Sequence, residues 1–130
     1  MKKIYVCSRL AGDYEANTEA AREYCAYVMR ECGAIPVAPH LLFPQFLDYT
    51  DPADRELGQE AGLELLEVCD ELWYFGDSVS QGMVREICAA KEMGIPVRYV
   101  PEEEWNNDRR HEKEVLSLWK TRNSKRFSPR

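Results

Sequence analysis

The sequence predicts an α/β fold: an open parallel sheet of four to five strands with helices on both faces. Three observations predict it. Short apolar runs rich in β-forming residues alternate with longer stretches of helical periodicity. The helical stretches are long enough that successive strands must pair in parallel, through right-handed crossovers. One junction also occurs twice: Gly33-Ala34-Ile35-Pro36-Val37 closes one helix and opens a strand, and Gly94-Ile95-Pro96-Val97 repeats it.

Residues 3–7, KIYVC, form the first strand, and SRLAGD follows as a loop. A first helix covers 14–32, with Ala21, Cys25, Val28 and Cys32 as its apolar stripe and Tyr24 beside it. Asp13 suits its N-cap and Gly33 its C-cap. Ile35–Val37 is the second strand, with Pro36 favouring a strand start or a sheet edge. Residues 38–50 read as a long aromatic loop. A second helix begins at Asp51-Pro52, a cap followed by proline at the first helical position, with Leu57, Ala61, Leu65 and Val68 as its buried stripe. ELWYF, residues 71–75, is the third strand. A third helix spans about Ser80 to Met93, and residues 95–100 form the fourth strand. The last helix is expected over 102–120, packing through Val115, Leu118 and Trp119. The domain is thus expected over 1–120. Residues 121–130 carry several cations and no acid, the composition of a basic flexible tail. The architecture is Rossmann- or flavodoxin-like, and such sheets bind ligands at the carboxyl ends of their strands.

Composition narrows the function classes. The 130 residues suit one domain, and 45% are apolar, enough for a core. A net charge of -6 disfavours a polymeric nucleic acid as partner but leaves room for a small nucleotide. No apolar run is long enough to span a membrane, and the basic N-terminus lacks the apolar stretch of a signal peptide. The five cysteines form no CxxC pair and lie in apolar runs, so they read as reduced core thiols of a cytoplasmic protein. His40 and His111 have no ligand spacing to a cysteine, so no metal site is expected.

Three segments meet at the carboxyl rim. The first, Ser8-Arg9-Leu10-Ala11-Gly12-Asp13, lacks the GxGxxG fingerprint but offers a hydroxyl, a guanidinium and free backbone N–H groups. It serves equally as a binding loop or an ordinary βα turn. The second, Gly76-Asp77-Ser78-Val79-Ser80-Gln81-Gly82-Met83-Val84-Arg85-Glu86, sets a carboxylate near a helix start. Gly82 lies one turn before Glu86 and leaves open space above it. Glu86 reads either as a site carboxylate or as a solvent partner of Arg85 or Lys91. The third holds His40, Phe43, Phe46 and Tyr49, rings that suit base stacking, sheet covering or a dimer contact. The ring surface of 40–49 favours a homo-oligomer. Glu56, Glu60, Glu64 and Glu67 form a row typical of a solvated helix face.

Taken together, KKIYVCS, GDYEAN, APHLLFPQFLD, CDELW, SQGMVREI and GIPVRYV resemble the nucleoside 2-deoxyribosyltransferase superfamily over roughly residues 2–100. Within it the resemblance is closest to an uncharacterised bacterial and phage family of small domains (DUF4406-like). The resemblance implies that Glu86 is a nucleophile at an anomeric carbon, that Tyr5 orients it, and that Asp77 handles the leaving base. It also implies that Ser8 matches a substrate-binding hydroxyl, and that Ser78 and Ser80 hold a phosphate where the substrate has one. Arg9, Gly12, Gly82 and His40 complete the expected substrate-binding set. The superfamily's aspartate on the second helix has no counterpart: Leu63 and Glu64 stand there, with Glu60 or Glu64 as possible substitutes. Arg85 and Ile87 flank Glu86, where the enzymes keep small residues. The implied activity is hydrolysis or transfer at an N-glycosidic bond of a nucleoside or nucleotide, needing no cofactor. A nucleotide-binding or sensing domain without catalysis is the alternative.

Overall fold

The computed structural model describes residues 1–106 and 114–122. Its elements are β1 (Lys3–Cys7), α1 (Tyr14–Arg30), β2 (Ile35–Val37), α2 (Pro39–Leu42), a 3-10 turn (Phe43–Gln45), α3 (Pro52–Glu67), β3 (Glu71–Phe75), α4 (Gln81–Glu92), β4 (Val97–Val100) and α5 (Glu102–Trp105). The four strands form one wholly parallel sheet in the order β2-β1-β3-β4. Tyr5 lies opposite Val37 on one side and Leu72 on the other, so β1 is central. The chain leaves β1 toward β2 and leaves β3 toward β4, in opposite directions. This reversal opens a crevice beyond the carboxyl ends of β1 and β3.

Side chains alternate across the sheet. Tyr5, Cys7 and Leu72 face one side, where Leu66 of α3 and Met83 and Ala90 of α4 complete a buried cluster. Phe75 faces the other side and stacks on Tyr24 of α1, with ring centroids 4.4 Å apart. Asp13 caps α1 through the Ala16 N–H, and Asp51 caps α3 through the Ala53 N–H, as the sequence implied. Ser80 caps α4 by accepting the Met83 N–H at 3.3 Å.

Three expectations change. Residues 38–50 are not a plain loop, because Pro39 starts a short helix and a 3-10 turn follows it. The buried stripe of α3 is Gly58, Gly62 and Leu66, whereas Leu57 is 55% and Val68 62% exposed. The helix is turned by one residue because its glycines admit Tyr49, Tyr5 and Pro39 against its backbone. A pattern of apolar side chains does not register glycine as a packing residue. The cysteines are free, but only Cys7 and Cys69 are buried, and Cys32 and Cys88 are exposed. Cys32 lies beyond the end of α1, and Cys88 lies on the face of α4 opposite the buried Met83 and Ala90.

Two compact units are distinguished, Met1–Val100 and a second one beginning at Pro101. In the second, α5 ends at Trp105, and residues 114–122 are helical, with Val115 and Leu118 exposed rather than packed. The rest of the expected 102–120 helix, over 107–113, lies outside the described residues, as does the expected basic tail from 123 onward. No described helix is long and apolar enough to cross a membrane.

Candidate functional site

Glu86 is drawn into the protein from α4, two turns past the Ser80 cap. The Tyr5 hydroxyl donates to its Oε2. The Cys7 thiol lies 3.5 Å from its Oε1. Both donors point the same way because they are two residues apart on β1. Tyr5 and Cys7 are fully buried, and burial first, then the Glu86 charge, pushes both groups well above their ordinary pKa ranges. They therefore stay protonated and act only as donors. Burial raises the Glu86 carboxyl to about 7, against the pull of the Tyr5 and Cys7 hydrogen bonds and the Arg85 charge.

Neither solvent pairing suggested for Glu86 is present. Arg85 turns away to α3, where its guanidinium meets Glu56 at 3.2 Å and also bonds Gln59. Gly82 leaves the space the sequence suggested: a Cβ there would meet only Ser80 Oγ, at 4.0 Å.

The crevice holds a pocket of about 130 Å³ lined by Ser8, Arg9, Asn17, Tyr24, Gly76, Asp77 and Ser78, among others. Arg9 reaches across its mouth and donates to Ser78 Oγ at 3.1 Å. Asn17 secures the β1 loop by donating to the Leu10 and Ala11 carbonyls at 3.1 and 3.0 Å. Gly12 and Gly76 both have φ of +103°, a conformation that favours glycine and lets each chain turn away from its strand. Ser8 is only 3% exposed, and its Oγ has no hydrogen-bond partner. A buried hydroxyl left unmatched beside a cavity is a natural contact for a ligand.

The sequence reading brings Ser8, Asp77 and Glu86 into one cleft, and this needs correction. Ser8 and Asp77 line the pocket with Tyr24 and Phe75, on the α1 side of the sheet. Glu86 sits with Tyr5 and Cys7 on the α3 and α4 side. Strand alternation sends consecutive residues Cys7 and Ser8 to opposite sides, so the two features adjoin across the end of β1. Ser80 and His40 are not among the pocket residues either. Ser80 is occupied as a helix cap. His40 lies in α2 with Nδ1 buried and unpartnered, and burial lowers it to about 4, so it is neutral at pH 7.

On α3 the acidic row lies on the solvated face, as its pattern suggested, and neither Glu60 nor Glu64 turns inward to replace the superfamily's aspartate. The groups α3 turns inward are Gly58 and Gly62. A Cβ on Gly62 would lie 3.1 Å from the Tyr5 oxygen, and one on Gly58 would lie 2.1 Å from the Tyr49 oxygen. Tyr49, read from the sequence only as one ring of an aromatic loop, thus belongs to the neighbourhood of Glu86. Its small-residue counterparts, Gly58 and Gly62 at helical spacing, were the available signal.

Comparison with known proteins follows this geometry. Residues 2–100 match the family described as "Domain of unknown function (DUF7768)". No curated protein matches the chain. Among solved structures it is similar to a 2-deoxyribosyltransferase from the psychrotolerant bacterium Bacillus psychrosaccharolyticus. That likeness has a TM-score of 0.58 and 18% identity, covering 77% of this chain and 72% of that one. What the two share at this identity is the fold, the one the sequence predicted. The family found is DUF7768, and the DUF4406-like kinship remains an expectation.

Proposed function

The chain belongs to the DUF7768 family, and from that footing we propose that it is a deoxyribosyltransferase-like hydrolase or transferase of N-glycosidic bonds, acting on a nucleoside or nucleotide through Glu86. The observation that carries this reading is the hydrogen bond from the buried Tyr5 phenol to the part-buried Glu86 carboxylate, beside the β1–β3 crevice. An ordinary surface glutamate is not held by a buried phenol and a buried thiol.

In the proposed reaction the Glu86 carboxylate attacks the anomeric carbon through an oxocarbenium-like transition state. A carbon–oxygen bond forms to the glutamate as the carbon–nitrogen bond breaks. The bonding pair leaves with the base, which takes a proton from Asp77 or solvent. Water or the N–H of an acceptor base then attacks the same carbon, passing its proton to the Asp77 carboxylate or solvent, and the bond to Glu86 breaks to leave the free sugar or a new nucleoside and the Glu86 carboxylate. Tyr5 and Cys7 fix the carboxylate's orientation. Ser8, Arg9 and Ser78 would hold the remainder of the substrate in the adjoining pocket, with Gly12 shaping its loop and Gly82 leaving the approach open.

A second reading is a nucleotide-binding or sensing domain without catalysis. It is favoured by α3, which turns glycines rather than a second carboxylate toward Tyr5 and Tyr49. Incubation with a panel of deoxynucleosides and their monophosphates, followed by chromatography, tests both. Base release that disappears in Glu86→Gln supports the enzyme. Calorimetric binding without release by either protein supports the sensor.

A further inference from the structure

The segment leading into α3 carries a hydroxyl that the chemistry above leaves unused. The Tyr49 backbone is held at its carbonyl and by its two neighbours. Its carbonyl accepts from Arg55 Nε at 3.2 Å. On its flank Asp48 Oδ1 accepts both the N–H and the hydroxyl of Thr50, at 2.9 and 2.6 Å. The Asp48 N–H in turn donates to Asp54 Oδ2 at 2.8 Å. A turn this well bonded delivers its side chain to one place.

That place is the notch at Gly58. A Cβ there would come within 2.1 Å of the Tyr49 oxygen and 2.8 Å of its Cζ, so the ring requires glycine. One turn along, a Cβ on Gly62 would meet the Tyr5 oxygen at 3.1 Å. Residues four apart on a helix have Cβ positions roughly 6 Å apart on the same face. Two phenol oxygens therefore line one groove of α3. The Tyr5 hydroxyl is committed to Glu86. The Tyr49 hydroxyl makes no hydrogen bond among the described residues. Burial, and next the nearby Glu86 charge, hold its proton more firmly than in an ordinary tyrosine. It is thus a neutral, half-buried donor within electrostatic reach of the carboxylate and without a hydrogen-bond partner among the described residues.

We propose that Tyr49 is a further substrate-contacting residue of the Glu86 site, donating from its hydroxyl to a sugar oxygen next to the carbon that Glu86 attacks. The proposal rests on the glycosidic reading for the identity of that substrate. Gly58 is the positioning residue that makes room for the ring.

The experiment compares wild type, Tyr49→Phe, Gly58→Ala and Glu86→Gln. Each is assayed for base release and for calorimetric binding, using a 2′-deoxynucleoside and analogues lacking one sugar hydroxyl at a time. Thermal melts accompany each variant. Tyr49→Phe keeps the ring and should melt with wild type, yet lose kcat/KM on the order of 10- to 100-fold on the intact sugar. The loss should shrink on the analogue that lacks the contacted hydroxyl. Gly58→Ala retains the phenol but displaces it, and should show a similar loss. Turnover by Tyr49→Phe within about twofold of wild type, alongside a dead Glu86→Gln, would overturn the Tyr49 role while leaving Glu86 in place. If wild type releases no base, the glycosidic reading fails and binding decides the matter. Weaker nucleoside binding by Tyr49→Phe would then support the contact, and equal binding, or none by wild type, would overturn it.

Discussion

Replacing Glu86 by glutamine tests the site without needing a substrate. The carboxyl moves from an ordinary 4.5 to about 7 on folding, chiefly through burial. Between those values the native state holds a proton that the unfolded chain has released. The stability this provides is complete below about pH 4.5 and is lost as pH rises through about 7. The full span corresponds to about 3 kcal/mol, and the partly exposed edge of the carboxylate trims it to about 2–3 kcal/mol. Glutamine is nearly isosteric and has no proton to lose. Urea denaturation of both proteins at pH 4 and pH 8 measures the effect, because every other titrating group is shared and cancels. Relative to wild type, Glu86→Gln should gain about 2–3 kcal/mol on going from pH 4 to pH 8. Parallel stability curves would mean that Glu86 titrates as a solvated carboxylate. The desolvated Glu86 carboxyl, and the proposed reading built on it, would then fall.

On the proposed reaction, base release by wild type should rise with pH through about 7, where Glu86 ionises. Tyr5→Phe removes a hydrogen bond that favours the carboxylate, so the midpoint of the pH–rate profile should move about one pH unit upward. An unmoved midpoint would separate Tyr5 from Glu86. In the core, Leu66 is fully buried while Leu57 is 55% exposed. Leu66→Ala should cost about 2–5 kcal/mol and Leu57→Ala under about 1 kcal/mol, read by denaturation; the reverse order would restore the helix face expected from the sequence. Phe46 is 67% and Leu42 49% exposed, both in the segment after β2. Light scattering should show a dimer or larger assembly at micromolar concentration, and a clean monomer would refute that expectation.

Much of the architecture was legible in the residues themselves. KIYVC and ELWYF are strands because β-branched and aromatic residues cluster there, and Asp13, Asp51 and Ser80 mark helix starts because their side chains satisfy free N–H groups. Helix-length connections then forced parallel pairing. These are local or topological properties, and a single chain displays them without its fold. The place of Glu86 near a helix start left two readings open, and it was the family resemblance that implied a site carboxylate.

Only the tertiary structure decided what those residues meet. Whether Glu86 turned to Arg85 or to Tyr5 depended on side chains from β1 and α3, 81 positions and about 30 positions away in the chain respectively. The α3 face was misjudged because close backbone packing against Tyr5 and Tyr49 selects glycine, which an apolar pattern does not register. Ser8 and Glu86 were expected together because both lie near the rim, yet strand alternation sends Cys7 toward one face and Ser8 toward the other. Periodicity fixes spacing along an element, whereas the rotation of that element against its neighbours is set by the shape of the whole core.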